Sequence, residues 1–279
     1  MSTKKFLAIF DGLKYSTSTT SYAIELAKMA DAYVAGAFLD DFTYHSHSLT
    51  GRGGYAKLLA ERKHLHEHDT LTRSESVKKF NKTCDDAGIE HIVHHDQSIA
   101  IREAIHESVY ADMLILSKSE TFTQYEQDTP SSFIKEMLAG SECPVIVVPA
   151  EFKPVNKIIM LYDGEPSSVY AIKLFSYLFP KTRQLPVEVI TIKSDESDRH
   201  VPEGRLMKEL MNRHFDEVVY TTVQGDPEKQ IIEQLKYRQH DELIVLGAYE
   251  RGDISRWFKP SMADLLIGGL KAPLFIAHR

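Results

Sequence analysis

Two polar loops contain the residues whose types and spacing could bind a ligand. Each loop follows a short apolar run typical of a buried parallel strand, and each ends in Pro-Ser. The loops lie in segments 113–131 and 243–261, which align without a gap. Because open α/β sheets place ligands at the carboxyl ends of their strands, the sequence predicts two copies of one binding site. The aligned pairs are Ser117 with Gly247, Glu120 with Glu250, Pro130 with Pro260, and Ser131 with Ser261.

An Asp-Gly pair follows the first apolar run of each copy. The pairs are Asp11-Gly12 and Asp163-Gly164. An aspartate at a strand end can contact a ligand, and it can equally cap the next turn without one. The serines that end the two loops are open to the same two interpretations, since each precedes an apolar helix that it could cap. Both roles remain open at this point.

Further matches in the same order extend the repeat over most of the chain. Residues 22–26 match 170–174, and residues 143–148 match 272–277. Each half alternates strands with helices, which predicts an α/β fold of two tandem doubly wound domains, each with a five-stranded parallel sheet. The predicted domains are 1–150, with an inserted loop and helix at about 41–80, and 155–279. The predicted strands are 5–10, 32–39, 89–94, 113–116, 144–148, 157–162, 187–192, 217–223, 243–246 and 273–277.

The overall composition excludes several classes of protein. A net charge of -7 without a basic stripe argues against a nucleic-acid partner. No apolar run approaches membrane-spanning length, and the run at residues 6–10 is too short for a secretion signal. Cys84 and Cys143 lack metal-ligand or redox-motif spacing, so we interpret them as reduced packing residues. We expect a cytoplasmic protein that binds neither membrane nor nucleic acid.

The repeat resembles the universal stress protein family in its tandem two-domain form, a Rossmann-like fold. Asp11 and Asp163 match the acidic residue that members carry after the first strand, and residues 225–227, Gly-Asp-Pro, match a turn before the third helix. The resemblance implies a role in stress response or regulation. It also implies a pseudo-twofold domain pair that meets through the last strands, 144–148 and 273–277. A homodimer and separate protein partners stay open.

In the ATP-binding subgroup of this family, the loop has the pattern Gly-x2-Gly-x9-Gly followed by Ser or Thr. The second half keeps Gly247 and Ser261, but Glu250 and Pro260 replace the other glycines. Proline has no N–H to offer a phosphate, and a glutamate facing phosphate would add repulsion of roughly 3 kcal/mol per charge. Weakened or lost ATP binding is therefore predicted. Because Arg251 lies in the second loop, we expect any remaining anion site there.

The resemblance assigns candidate ligand contacts to both halves. In the second half they are Asp163, Gly164, Gly247, Arg251 and Ser261. In the first half they are Asp11, Gly12, Ser117 and Ser131.

Three hypotheses from different classes follow. The first is a regulatory module that acts through a ligand other than ATP or through protein contacts. The second is an adenine-nucleotide sensor that uses the second loop. The third is a metal-dependent hydrolase at the inserted segment, where His64 and His68 would share a helix face with Asp69 or Glu61 as a further ligand. A solvated, charged helix face explains these histidines more simply. Since the sequence has no catalytic motif, we expect a protein that is not an enzyme.

Overall fold

The computed structural model describes residues 3–41, 55–123, 125, 127–193, 200–238, 241–247 and 260–278. The first half contains β1 (Lys4–Asp11), α1 (Thr17–Ala30), β2 (Ala32–Asp41), α2 (Tyr55–Ala87), β3 (His91–Ser98), α3 (Ala100–Ser108), β4 (Met113–Ser117), α4 (Ser132–Gly140) and β5 (Val145–Val148). The second half contains β6 (Lys157–Leu161), α5 (Pro166–Leu178), a 3-10 helix (Pro180–Gln184), β7 (Val187–Lys193), α6 (Gly204–His214), β8 (Val218–Gln224), α7 (Pro227–Lys236), β9 (Glu242–Gly247), α8 (Pro260–Gly269) and β10 (Leu274–Ala277).

All ten predicted strands form, and they join in one sheet of order β3-β2-β1-β4-β5-β10-β9-β6-β7-β8. Within each half the pairing is parallel, as predicted. The halves meet through β5 and β10, which pair antiparallel with Phe275 opposite Ile146. This contact between the last strands was expected from the family resemblance. Without this pairing, β5 and β10 would each be an exposed apolar edge strand of its own half.

Helices cover both faces of the sheet, so the core has two layers. On one face α1, α2, α5 and α6 pack on the strands, with Tyr22, Phe80 and Phe175 fully buried. The other face is covered by α3, α4, α7 and α8, with Ile134 and Leu266 fully buried. Buried strands that are apolar on both faces are typical of a doubly wound parallel sheet. The predicted α/β fold class is therefore confirmed.

The two cysteines pack inside this core. Cys84 and Cys143 are both buried and free. Burial raises the pKa of each thiol to about 12. Both side chains are therefore un-ionised packing groups, as interpreted from the sequence.

Helix α2 distinguishes the two halves, since it has 33 residues and its counterpart α6 has 11. The last part of α2 packs over the ends of β1 and β2. Ser76 Oγ donates to the Gly12 carbonyl at 2.7 Å. Arg73 Nε lies 2.5 Å from Asp40 Oδ1. The helix of the predicted insertion therefore covers the carboxyl ends of β1 and β2 and continues beyond residue 80, to Ala87.

The segment between the halves is held against α1. Tyr22 Oη accepts a hydrogen bond from the Lys153 N–H at 3.2 Å, and Glu25 Oε1 accepts one from Val155 at 3.0 Å. Phe152 packs edge-on against the Tyr22 ring. The connection is therefore packed onto the first half.

No helix in the described part of the chain combines the length and the apolar character that crossing a membrane requires.

A buried ion-pair network joins the strands of the second half. Glu188 accepts hydrogen bonds from Lys157 Nζ at 2.6 Å, Arg238 Nη1 at 2.8 Å and Thr221 Oγ1 at 2.8 Å. Burial acts to raise the pKa of Glu188, but donation from Arg238, Lys157 and Thr221 outweighs it and lowers that pKa to about 2. The carboxylate therefore stabilises the fold while it is ionised.

Replacing Glu188 with Gln is expected to lower the free energy of unfolding by about 2 kcal/mol, because Lys157 and Arg238 stay partly buried without their counter-charge. Urea denaturation followed by circular dichroism measures this loss. The wild-type contribution is complete above the ordinary glutamate pKa near 4.5 and disappears as pH falls toward 2. Glu209→Gln, on the exposed side of α6, is the matched control. An equal loss in both variants would contradict a role for the network.

Candidate functional site

The first candidate site lies where β1 and β4 are neighbours in the sheet. The chain continues from β1 to β2 on one side, and β4 and β5 extend the sheet on the other. The carboxyl ends of β1 and β4 bring Asp11 and Gly12 next to the loop that begins at Ser117. This is the topological switch point at which open α/β sheets bind ligands. The predicted residues of the first half are therefore brought to one cleft.

Glu120 fills the inner end of this cleft. Its side chain is 5% exposed, and its carboxyl group accepts hydrogen bonds from the backbone N–H groups of Asp11, Thr121 and Phe122. Backbone pairing of β1 with β4 extends only as far as Ala8 and Ile115, so the N–H of Asp11 lies beyond that ladder and bonds to the glutamate. Phe122 has a positive φ of 48°, which helps its N–H turn toward the same carboxyl group. An internal side chain thus occupies an anion-binding nest of the backbone.

The environment of Glu120 keeps its proton bound. Burial, and to a smaller extent the nearby Asp11 carboxylate, raise the pKa of Glu120 to about 8 against the opposing effect of the backbone N–H donors. Asp11 is itself only 2% exposed. Two adjacent buried carboxyl groups do not both ionise readily, so at pH 7 Glu120 is mostly neutral. The glutamate therefore blocks the cleft by its volume, whereas the charge repulsion expected for a glutamate at this motif position requires the ionised form.

The other predicted residues of the first half have structural contacts. Asp11 Oδ1 accepts a hydrogen bond from the Leu13 N–H at 2.8 Å. Ser117 Oγ accepts one from Ser119 at 3.2 Å. Ser131 is the N-cap of α4, since its Oγ accepts from Ile134 N–H and donates to the Glu120 carbonyl. The capping interpretation of these polar residues is therefore supported in the first half.

A polar cavity of about 270 Å³ remains outside Glu120. Lys118 Nζ reaches across to the second half and donates to the Leu270 carbonyl, at the end of α8, at 3.0 Å. Lys14 Nζ donates to the Thr123 carbonyl at 2.6 Å. Sequence reasoning overlooked both lysines, although Lys118 directly follows the motif position Ser117. The lining residues are Lys14, Lys118, Ser119, Thr121, Tyr125, Gln127, Asp128, Thr129 and Ser131.

In the second half, Asp163 and Gly164 form a tight turn before α5. Asp163 Oδ1 accepts hydrogen bonds from the Glu165 N–H at 2.9 Å and from Ser168 Oγ at 2.6 Å. Gly164 has a φ of 89°, and a Cβ there would lie 2.7 Å from Pro202 Cβ. The glycine is therefore required by its backbone conformation and by this contact. Asp163 acts as the cap of this turn.

Gly247, the retained first glycine of the motif, is explained by packing. A Cβ on this residue would lie 2.5 Å from the Ser167 carbonyl oxygen and 2.7 Å from the Ser168 nitrogen. The end of β9 therefore contacts the backbone of the first turn of α5. Ser261 is the second residue of α8. Arg251 and Glu250 lie outside the described residues, so the predicted phosphate contacts of the second loop remain predictions.

The metal hypothesis at the inserted segment remains a hypothesis, because the side chains of Glu61 and His64 on α2 lie outside the described residues. His45 and His47 lie outside the described residues, and His64 lies on α2. The described side chain of His68 is 59% exposed, with its Nδ1 3.8 Å from the neighbouring Asp69 carboxylate. Among the described residues, no group of three histidine, cysteine, aspartate or glutamate side chains could hold a metal ion.

The sequence matches no family model and no curated protein. Solved structures do resemble this fold. A universal stress protein from Archaeoglobus fulgidus aligns at 16% identity with a TM-score of 0.71, over 99% of this chain and 98% of that one. A functionally unknown protein from Pseudomonas aeruginosa aligns at 12% identity with a TM-score of 0.58, over 99% and 92%.

The cytoplasmic domain of a prokaryotic cation chloride cotransporter has the same architecture. It aligns at 9% identity with a TM-score of 0.56, over 98% of this chain and 94% of that one. These alignments cover nearly the whole of each chain, including both halves of the ten-stranded sheet. The chain therefore has the fold of a universal stress protein of similar length.

Proposed function

We propose that this protein is a regulatory binding protein of the universal stress protein type that binds ATP weakly or not at all. It acts in the cytoplasm through a different ligand or through protein contacts, and not by turnover. The single observation that carries this proposal is the position of Glu120. Its carboxyl group already accepts hydrogen bonds from the backbone N–H groups in the cleft, including that of Asp11 at the end of β1.

Steric and electrostatic effects both disfavour a nucleotide in the first cleft. A ligand at the end of β1 would have to displace Glu120 from its N–H donors. A displaced glutamate would ionise in water, and its charge would then repel a triphosphate by several kcal/mol at an effective dielectric of about 20. The remaining cavity of about 270 Å³ lies below the roughly 300–1,000 Å³ typical of sites for drug-sized ligands.

The contacts of the candidate residues also favour binding over catalysis. Asp163 and Ser131 each cap a local turn or helix. A general base or nucleophile needs a lone pair directed at a reacting atom, and these oxygens are engaged by backbone N–H groups.

The likeness to a transporter's cytoplasmic domain adds an example in which the fold forms part of a larger protein.

Calorimetric titration with ATP, ADP and AMP, with and without magnesium, tests this proposal. We expect no saturable heat below about 1 mM, which corresponds to a binding free energy weaker than roughly -4 kcal/mol. Micromolar ATP binding would contradict the proposal and favour the nucleotide-sensor hypothesis. Repeating the titration with Glu250→Gly would then show whether the second loop is the site, since that change should strengthen binding there.

A further inference from the structure

We propose that the cavity of the first half binds a small dianion, such as a phosphate monoester or a short dicarboxylate, between Lys14 and Lys118. The inference rests on the proposed function, because it names the ligand class of the same cleft. It adds an anion site in the first half, while the site expected in the second loop remains a prediction because Arg251 lies outside the described residues.

Lys118 is the strongest reason for an anionic ligand. Its ammonium group is partly buried and donates to an uncharged carbonyl, that of Leu270. Burial lowers the pKa of Lys118, and the nearby cation Lys271 lowers it further. Among the described residues, no carboxylate forms an ion pair with Lys118. A partly buried cation without a counter-charge is costly, and a bound anion would supply that charge.

The geometry around Lys118 provides further donors. Lys14 lies on the wall formed by the loop after β1, where its contact with Thr123 holds the ammonium group at the cavity. An ammonium group has three N–H donors, and the Lys118 bond to Leu270 uses one of them. The hydroxyl groups of Ser119 and Thr121 line the same cavity. Phosphate and carboxylate oxygens accept hydrogen bonds of all these kinds.

Among the described residues, the carboxyl groups near the cavity that could oppose an anion are those of Asp11, Asp128 and Glu120. Asp128 lines the cavity but is exposed to solvent, which screens its charge. Glu120 lies behind the cavity, and its raised pKa of about 8 leaves it mostly neutral at pH 7. Lys118, partly buried at the cavity, is therefore the main attraction for an anion, and the exposed Lys14 adds to it. The small volume of the cavity selects a ligand of few atoms over a nucleoside triphosphate.

Isothermal titration with inorganic phosphate and with succinate, at constant ionic strength, tests the inference. We expect saturable binding of at least one of them by the wild-type protein. Lys118→Met and Lys14→Met should each weaken binding about tenfold, as loss of one charged hydrogen bond predicts. Asp128→Asn should strengthen it. The matched control is Lys135→Met, which removes an exposed lysine of α4 that pairs with Asp264 outside the cavity.

The outcomes separate the possible sources of binding. Phosphate binding without succinate binding identifies a phosphate site, and the reverse identifies a carboxylate site. An equal loss in Lys135→Met and Lys118→Met would show non-specific attraction and overturn the inference. No saturable binding of either probe at 10 mM, which corresponds to a binding free energy weaker than roughly -3 kcal/mol, would also overturn it. If ATP binding is absent as well, the proposed regulatory function through protein contacts stands.

Discussion

Replacing Glu120 with Gln is expected to remove a large part of the dependence of stability on pH between pH 5 and 8.5. Across this interval the free energy of unfolding of the wild-type protein should fall by on the order of 3 kcal/mol more than that of Glu120→Gln. This follows from about 1.4 kcal/mol per unit of difference between the folded and unfolded pKa values. Urea denaturation at a series of pH values, followed by circular dichroism, measures both curves. Glutamine preserves the shape of the protonated carboxyl group and accepts backbone hydrogen bonds through its oxygen.

The direction of this effect follows from the raised pKa. In the unfolded chain Glu120 loses its proton near pH 4.5, whereas in the folded protein it keeps the proton up to about pH 8. Between these values unfolding releases a proton, so stability falls as pH rises. The favourable contribution of the bound proton is complete below pH 4.5 and is lost as pH passes through 8. Above that pH the difference between the two proteins becomes constant.

A control separates this effect from other titrating groups. Glu136 lies on the exposed side of α4. Glu136→Gln should therefore retain the wild-type pH profile of stability. Parallel profiles for the wild type and Glu120→Gln would show that Glu120 is not the buried acid described above.

Replacing Gly247 with Ala is expected to have the second large effect, a decrease of about 3 kcal/mol or more in the free energy of unfolding. The new Cβ would lie 2.5 Å from the Ser167 carbonyl oxygen, so α5 would have to move away from β9. Backbone atoms at both sides of this contact cannot rotate away as a flexible side chain can. Thermal and urea denaturation should show the loss with no ligand present.

The matched control for Gly247 is Gly204→Ala at the start of α6. A Cβ there would meet Val201 at an ordinary distance of 3.7 Å. We expect the free energy of unfolding to stay the same or to rise by up to about 1 kcal/mol, since alanine restricts the conformations of the unfolded chain. If Gly247→Ala were as stable as Gly204→Ala, the packing explanation for the retained glycine would be wrong. A phosphate role would then regain support.

The fold was predictable because the repeat and the buried strands leave a direct signal in the sequence. Runs such as Met113–Leu116 are apolar on both faces and lie within the observed β4, Met113–Ser117. The least accurate boundary was that of β3, predicted at 89–94 and observed at His91–Ser98. This edge strand carries His94, His95 and Asp96. Because these residues are polar, the sequence does not indicate that the strand continues to pair with β2 beyond residue 94.

The candidate site was only partly predictable. Motif spacing located the cleft, because Asp11 and Ser117 end neighbouring strands. The role of Glu120 could not be predicted in the same way, since its partners are backbone N–H groups, which every residue type except proline possesses. Lys118 and Leu270 are far apart in sequence, so no local pattern indicates their contact. The packing role of Gly247 depends on how closely α5 approaches β9, which residue types alone do not specify.

The central claim is that a protonated Glu120 fills the first cleft beside Asp11. NMR titration of the glutamate side-chain carboxyl carbons, with ¹³C labelling and Glu120→Gln to assign the signal, measures it directly. We predict a midpoint near pH 8 for Glu120, because burial and Asp11 hold its proton. A midpoint near the ordinary value of 4.5 would place the side chain in solvent and contradict the account of the cleft.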